Sequence, residues 1–443
     1  MKVSSILGLN SRGRLYTGRY NDAKSKKVAN SKLLTDRILR KNKIPHPEVI
    51  VKFKDFKEIE NFDWNSLPQA FALKPSRGLG GEGIIVVKKK VDGGWLTTQK
   101  TKVTIDDLKL HTLDILEGAF SMGSDPDRAF IQEFVGRHKT FRKLSYRGTP
   151  DIRVIVFNKI PVMAMLRLPT KESGGRANLH QGALGIGIDL ATGITTKAIW
   201  HGKQIVFKPG SLRKLNGIKI PRWNLILETA VKAQIASGLG YAGIDIVLHP
   251  EKGPQVIELN AQPGLQIQLA NMDGLRKRLE RVDELTVKDA SHGVSIAKAI
   301  FAGRFTDRVM AEEGVKTISV WENIIIKFGN RNFKVPVKID TGAWRTSIDR
   351  DLAKKIGLLN TNNVLWTKNV RTATGKENRS VVNLIYTLAG RKISTIASIS
   401  TRSHLRVPVI IGRKDLAGFL VSPKLNDQDL KWVPKKWEGL KDL

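Results

Sequence analysis

Four groups of residues in this 443-residue chain have the types and spacing to do chemistry. The first lies in Phe71 to Val87, FALKPSRGLGGEGIIVV, where Lys74 closes an apolar run and Gly78, Gly80, Gly81 and Gly83 precede a second one. Backbone N–H groups of such a loop can approach phosphate with no Cβ in the way, and the lysine adds a point charge. The loop returns to a strand, whereas the dinucleotide fingerprint and the Walker A loop lead from a strand into a helix. On these residues alone, a glycine-rich hairpin that binds nothing remains the alternative. The second group is Asp245 together with Glu258 and Asn260 in Val256-Ile257-Glu258-Leu259-Asn260. Strand residues two apart share a face, so Glu258 and Asn260 point the same way and Asp245 can join them from a neighbouring strand. Three hard oxygen donors suit Mg²⁺, which keeps several waters and takes few protein carboxylates. Without a metal, these carboxylates among Ile, Val and Leu would lack partners.

The third group is Arg153, Arg167, Arg176, Asn178 and His180. Arg153 and Arg167 stand in apolar strand-like runs, where planar guanidiniums beside a nucleotide could stabilise an acyl phosphate and its tetrahedral successor. Surface ion pairing is the competing role. The fourth is Lys338-Ile339-Asp340-Thr341-Gly342-Ala343, in which small residues beside Asp340 let backbone N–H groups reach its carboxylate.

These groups need elements to hold them. Helical spacing predicts helices over Ser31 to Asn42, around Leu108 to Phe120, and over Glu228 to Leu239. Strand-like runs cover Val49 to Phe53, Phe71 to Lys74, Ile84 to Val87 and Ala129 to Val135; Val154 to Phe157 and Pro161 to Leu166 read as a hairpin turning at Asn158-Lys159. Ile244 to His249 and Gln255 to Asn260 read as a second strand pair. The alternation predicts one α/β or α+β unit to about residue 303. Beyond Thr306 to Gly314, short strands and one helix near Asp351 to Ile356 predict a small β-rich barrel or sandwich.

With 75 Lys+Arg against 41 Asp+Glu, the formal charge of +34 favours polyanionic partners. Positions 1 to 46 hold twelve Lys/Arg and only Asp22 and Asp36 as acids, yet aromatic interleaving and a helix-turn-helix pattern are missing, so a solvated surface is favoured over nucleic-acid binding. The chain has no Cys, which removes disulfides, thiol nucleophiles and thiolate zinc sites. No apolar run is long enough to span a bilayer and the first residues lack a secretory core, so the expectation is a cytoplasmic protein with no membrane partner.

The order Lys74 and glycine hairpin, Ile131-Gln132-Glu133-Phe134-Val135, Asp151-Ile152-Arg153, Asn178-Leu179-His180, Asp245, then Glu258-Leu259-Asn260-Ala261-Gln262-Pro263-Gly264 resembles the ATP-grasp ligases over residues 5 to 303. It looks closest to the alpha-L-glutamate ligases of the RimK type. The resemblance implies ATP and Mg²⁺ as cofactors, with Lys32, Lys74, Gly80 and Gly81 at the phosphates and Gln132, Glu133 and Val135 in the hinge that holds adenine. It also implies Asp245, Glu258 and Asn260 at the metal, and Arg153, Arg167 and Asn178 in catalysis. The reaction implied joins an amino acid, glutamate first among them, to a peptide or protein carboxylate. Gln262 departs from the Arg or Ser common in such ligases, which leaves the substrate open: a small acid or amino sugar is one alternative and a non-catalytic basic scaffold another.

Asp340-Thr341-Gly342 with Pro408-Val409-Ile410-Ile411-Gly412-Arg413 resembles the retropepsin-like domains called ATP-dependent zinc proteases. A single Asp-Thr-Gly implies a homodimer for an aspartate dyad, with Arg371 to Arg379, including Thr374-Gly375, as flap. Peptide binding without catalysis is the alternative. No thiolate supports zinc, and His404 is the one histidine of this half. The expected organisation is α+β: an ATP-grasp domain over 1–305, a linker over 306–316, and an all-β retropepsin-like acid protease domain over 317–443.

Overall fold

The computed structural model describes residues 3–78, 80–301, 316–360, 363–372, 375–402 and 406–422. It divides into two compact units, Met1–Val294 and Ser295–Leu443. Linker residues 306–315, Thr374, His404 and the segment 423–443 lie outside the described residues.

The first unit contains two antiparallel sheets. One has the order β1 (Val49–Phe53), β6 (Ala129–Glu133), β2 (Phe71–Pro75), β3 (Ile85–Val91), β4 (Gly94–Thr97), β5 (Lys102–Val103). Its core gathers Phe53, Trp64, Phe71, Leu73, Trp95, Leu108, Ile115 and Ile131. The other has seven strands in the order β11 (Lys203–Ile205), β10 (Thr195–Trp200), β9 (Leu184–Ile188), β8 (Ile160–Leu168), β7 (Asp151–Phe157), β12 (Tyr241–His249), β13 (Gly253–Asn260). Strands β7 and β8 are buried along nearly their whole length, and Arg153 and Arg167 are the two positions that keep slight exposure, 11% and 12% of their side chains.

The predicted hairpin forms: Asn158 and Lys159 both adopt positive φ (50° and 60°), the twist that joins two-residue antiparallel turns. Helix Lys32–Lys41 is capped by Ser31, whose hydroxyl accepts from the Leu34 N–H. Two helices begin earlier than their apolar spacing suggests. One spans Ile105–Leu116, started by a capping box between Thr104 and Asp107. The other spans Trp223–Ser237 and ends at left-handed Gly238. Among the described residues no helix is long and apolar enough to cross a membrane.

The second unit is a barrel. Its seven-stranded sheet runs β15 (Trp321–Phe328), β16 (Arg331–Asp340), β21 (Val409–Gly412), β17 (Ser347–Asp349), β20 (Arg391–Ser400), β19 (Gly375–Leu388), β18 (Val364–Thr372), and an added β15–β19 pairing closes it. A parallel pair, β14 (Lys316–Ser319) with β22 (Phe419–Ser422), stands beside it. Ile324, Ile326, Val335, Val337, Leu384, Val409 and Ile411 fill the interior. The segment expected to form a flap is the tip of the β18–β19 hairpin, where Thr372 pairs with Gly375.

Candidate nucleotide and metal site

Lys74 lies on β2 and directs its Nζ to Gln132 Oε1 on the adjoining β6, 2.8 Å away. Gln132 is itself fixed by donating to the Pro47 carbonyl at 3.0 Å. Lys32, first residue of its helix, donates to the Gly78 carbonyl at 2.7 Å and approaches Glu258 at 3.7 Å. The two ammoniums are close enough to repel. Burial foremost, then Lys32, pushes Lys74 down to about 8, against a smaller upward pull from Glu258. A site that holds two lysines at this cost is preorganised for an anion that would relieve it.

The glycine loop is built around backbone conformations that side chains resist: Gly80 and Gly81 have φ of +63° and +82°. The connection between β8 and β9 folds back over it. Asn178 donates to the Gly80 carbonyl at 3.3 Å while its Oδ1 accepts from the His180 N–H at 3.0 Å, and the Arg176 side chain lies near Gly81.

The segment expected to form the hinge is secured from several sides. The Glu133 N–H donates to the Glu48 carbonyl at 2.8 Å, and the Val135 carbonyl accepts from the Thr149 hydroxyl at 2.8 Å. The Glu133 carboxylate faces Lys252 at 2.5 Å and His249 at 3.9 Å.

The register across the larger sheet sets Glu258 opposite Asp245, Asp245 opposite Arg153, and Asp151 opposite Arg167. Arg153 grips Asp245 with Nε and Nη2, both at 2.7 Å; Arg167 grips Asp151 with Nε and Nη2, both at 2.5 Å, and also reaches Asp245 at 2.7 Å. Asn260 adds a 3.2 Å bond to Asp245. Burial alone would raise Asp245, but Arg153 and Arg167 overcome it and hold the carboxyl far below the usual range. Asp151 is pushed up to about 6 by burial, with Asp245 adding to the rise and Arg167 opposing it. Two guanidiniums balance two carboxylates, so the cluster is neutral and its geometry is stiff.

The structure thus brings Asp245, Glu258 and Asn260 together, but in unequal roles. Both oxygens of Asp245 are engaged by arginines, which leaves the Glu258 carboxylate and the Asn260 Oδ1 as the donors best placed for a cation. Among the described residues no cluster of three or more His, Asp or Glu stands ready for a metal. One carboxylate and one amide oxygen still fit Mg²⁺, whose remaining positions go to water and phosphate. Sequence reasoning named Asp151 beside Arg153 but not its pairing with Arg167, and it missed Arg12. Asp151 partners Arg167, a pairing that strand alternation across the hairpin could have shown. Arg12 donates to the carbonyls of Gln262 (3.3 Å) and Pro263 (2.9 Å), clamping the loop after Asn260 from a segment with no motif.

In the second unit, Asp340 ends β16 and its Oδ1 accepts from the N–H groups of Gly342 (2.9 Å) and Ala343 (3.1 Å). Gly412 pairs with Asp340, and a Cβ there would meet the Arg345 backbone at 2.4 Å. Behind this loop, buried Asp415 accepts from the hydroxyls of Thr346 (2.5 Å), Thr395 (2.7 Å) and Tyr386 (3.1 Å).

The glycine hairpin, paired lysines and oxygen donors on a sheet edge describe a nucleotide-binding unit. The chain belongs to the family "Sugar-transfer associated ATP-grasp", which it matches over residues 11–284, more than half its length. ATP and Mg²⁺ are the cofactors of ATP-grasp ligases. The chain is similar to a probable alpha-L-glutamate ligase of Psychromonas ingrahamii, 27% identical over 202 residues, covering 44% of this chain and 50% of the relative. It is also similar to the tetrahydromethanopterin:alpha-L-glutamate ligase of Methanocaldococcus jannaschii, 26% identical over 235 residues, covering 53% and 59%. It therefore spans only about half the length of these relatives. Among solved structures, ATP-grasp ligase PsnB with a phosphomimetic variant of its minimal precursor, Mg and ADP is 15% identical, covers 60% of this chain and 59% of that one, and has a TM-score of 0.32.

Proposed function

We propose that the first unit is an ATP-dependent carboxylate–amine ligase that adds an amino acid, glutamate first among them, to a peptide or protein carboxylate. The observation that carries this reading is the meeting of Lys32, Lys74 and Glu258 beside the glycine loop, at the edge of the Arg153–Asp245–Arg167–Asp151 cluster. In this reading Lys32, Lys74 and the N–H groups around Gly80 and Gly81 hold the nucleotide phosphates, and Gln132 to Val135 border the base. Glu258 and Asn260 would hold Mg²⁺, and the ion would supply charge neutralisation for the transferred phosphoryl group. Arg153 and Arg167 spend Nε and Nη2 on carboxylates. Their planes are thereby fixed, and Nη1 of each is left to meet the oxygens of an acyl phosphate. Asn178 ties the overlying loop to Gly80.

The names of the two glutamate ligases support glutamate as the incoming amine. The family description favours a second reading, in which a small acid or amino sugar replaces the peptide substrate. For the second unit, the two N–H groups on Asp340 support a retropepsin-like role that needs a second copy of the chain, either cleaving peptide or binding it.

Incubating the full chain with Mg·ATP and single or paired amino acids, then following ADP and product mass, tests the ligase reading. Glutamate is expected to stimulate ADP release with a mass gain of one residue on the acceptor. Glu258→Gln should abolish turnover and Asp340→Asn should preserve it. ADP release that no acid or amine stimulates would refute the assignment for free substrates.

A further inference from the structure

The edge of the larger sheet carries a feature that ligase chemistry leaves unused. Beyond β11, residues 206–215 fold into a tight hairpin: Lys208 N–H donates to the Arg213 carbonyl at 2.9 Å, Leu215 N–H to the Val206 carbonyl at 3.1 Å, and Phe207 bridges Lys214. Leu215 is fully buried and anchors the base. The other apolar side chains are exposed to different degrees: Leu212 at the tip is 92% exposed, and Val206 and Phe207 on the first arm are 49% and 45% exposed. Gly210 at the turn has open space around it.

The chain segments that form and flank this hairpin carry charge of one sign. No Asp or Glu occurs from Leu190 to Leu227, a stretch holding Lys197, Lys203, Lys208, Arg213, Lys214, Lys219 and Arg222. Residues Phe134 to Pro150 are also free of acids and hold five Lys/Arg. The two stretches adjoin. Burial, then Arg213 and Arg137, lowers Lys208, and burial, then Lys139, Arg222 and Arg142, lowers His138.

We propose that this hairpin seats the protein on an anionic lipid bilayer, with Leu212, Phe207 and Val206 entering the boundary between headgroups and acyl chains and the surrounding Lys and Arg binding lipid phosphates. A polyanion such as nucleic acid or oligo-glutamate would satisfy the cations but leave Leu212 in water. A bilayer surface takes both parts, because it offers an apolar layer directly beneath anionic headgroups. Adsorption of this kind needs no spanning helix.

Co-sedimentation of the full-length protein with phosphatidylcholine vesicles, with and without phosphatidylglycerol, tests this. Binding is expected to the phosphatidylglycerol vesicles only and to weaken with salt. Each Lys or Arg at a bilayer surface is worth about fivefold in partitioning, so Arg213→Glu/Lys214→Glu should lower it by more than tenfold. Phe207→Asp/Leu212→Asp should lower it similarly, with Mg·ADP binding intact as evidence of folding. Failure to bind phosphatidylglycerol vesicles would overturn the proposal. So would binding that Leu212→Asp leaves unchanged while heparin or poly-L-glutamate competes fully, which would mark a polyanion site. Leu212 alone can be tested as Leu212→Ser, should the double variant not fold.

Discussion

Raising the pH through 8 will strip the proton from Lys74 in the ligand-free protein, because burial, reinforced by Lys32, pushes its ammonium down to about 8 from 10.5. Nucleotide phosphates placed against Lys74 stabilise the charged form and return it toward its ordinary value. Binding above pH 8 must therefore take up a proton. Well below pH 8 the lysine is charged with or without nucleotide, and uptake from it fades to nothing. If the bound value reaches 10.5, uptake is roughly half a proton at pH 8 and about 0.9 at pH 9. Affinity then falls about tenfold per pH unit, roughly 300-fold across the whole interval. Isothermal titration of Mg·ADP in buffers of different ionisation enthalpy reads the uptake directly. Lys74→Arg removes the effect, since a guanidinium stays protonated throughout. The same depressed value makes the ammonium a burden on folding that is full below pH 8 and eases as pH rises toward 10.5, so Lys74→Met should raise the melting temperature at neutral pH. Uptake that is absent in the wild type, or that persists in Lys74→Arg, would refute the placement of phosphates at Lys74.

Removing one partner from the buried ion cluster should be costly: Arg153→Met leaves Asp245 short of its bidentate partner and is expected to destabilise the first unit by about 3–5 kcal/mol in urea unfolding. Asp415→Ala orphans three hydroxyls in the barrel at about 1–3 kcal/mol each, so the second unit should melt earlier while Mg·ADP binding is unchanged. Light scattering of the full chain tests the aspartate dyad, which a strict monomer would exclude. Should the product be an oligo-glutamate tail, the basic surface predicts ligation that weakens steeply with salt, and salt-independent turnover with glutamate would count against it.

The glycine loop, Lys74 and the sheet-edge oxygen donors were readable in the sequence because each depends on local rules: glycines where positive φ is needed, a lysine closing a strand, and side chains two apart on one face. Glu258, Asn260 and Asp245 do converge as strand alternation requires. Their division of labour was not legible, since it depends on the register of four strands and on a bulge between Asp245 and Ile246. Only that register delivers Arg153 and Arg167 to the same carboxylate. The early start of helix Trp223–Ser237 was hidden for another reason. Arg222 at its N-cap is left-handed and makes no side-chain cap bond, so no Ser, Thr, Asp or Asn announces it. The strand Val364–Thr372 carries no apolar alternation in Val364-Leu365-Trp366-Thr367-Lys368-Asn369 that would mark it in the sequence, and it is held by pairing with β19.

The central claim, that a carboxylate is activated by phosphoryl transfer from ATP before an amine attacks, is tested most directly by labelling both oxygens of the substrate carboxylate with a heavy oxygen isotope. After turnover with Mg·ATP and the amine, the account predicts one labelled oxygen in each phosphate released. Unlabelled phosphate appearing alongside ADP would contradict it, since water would then be the atom that accepts the phosphoryl group.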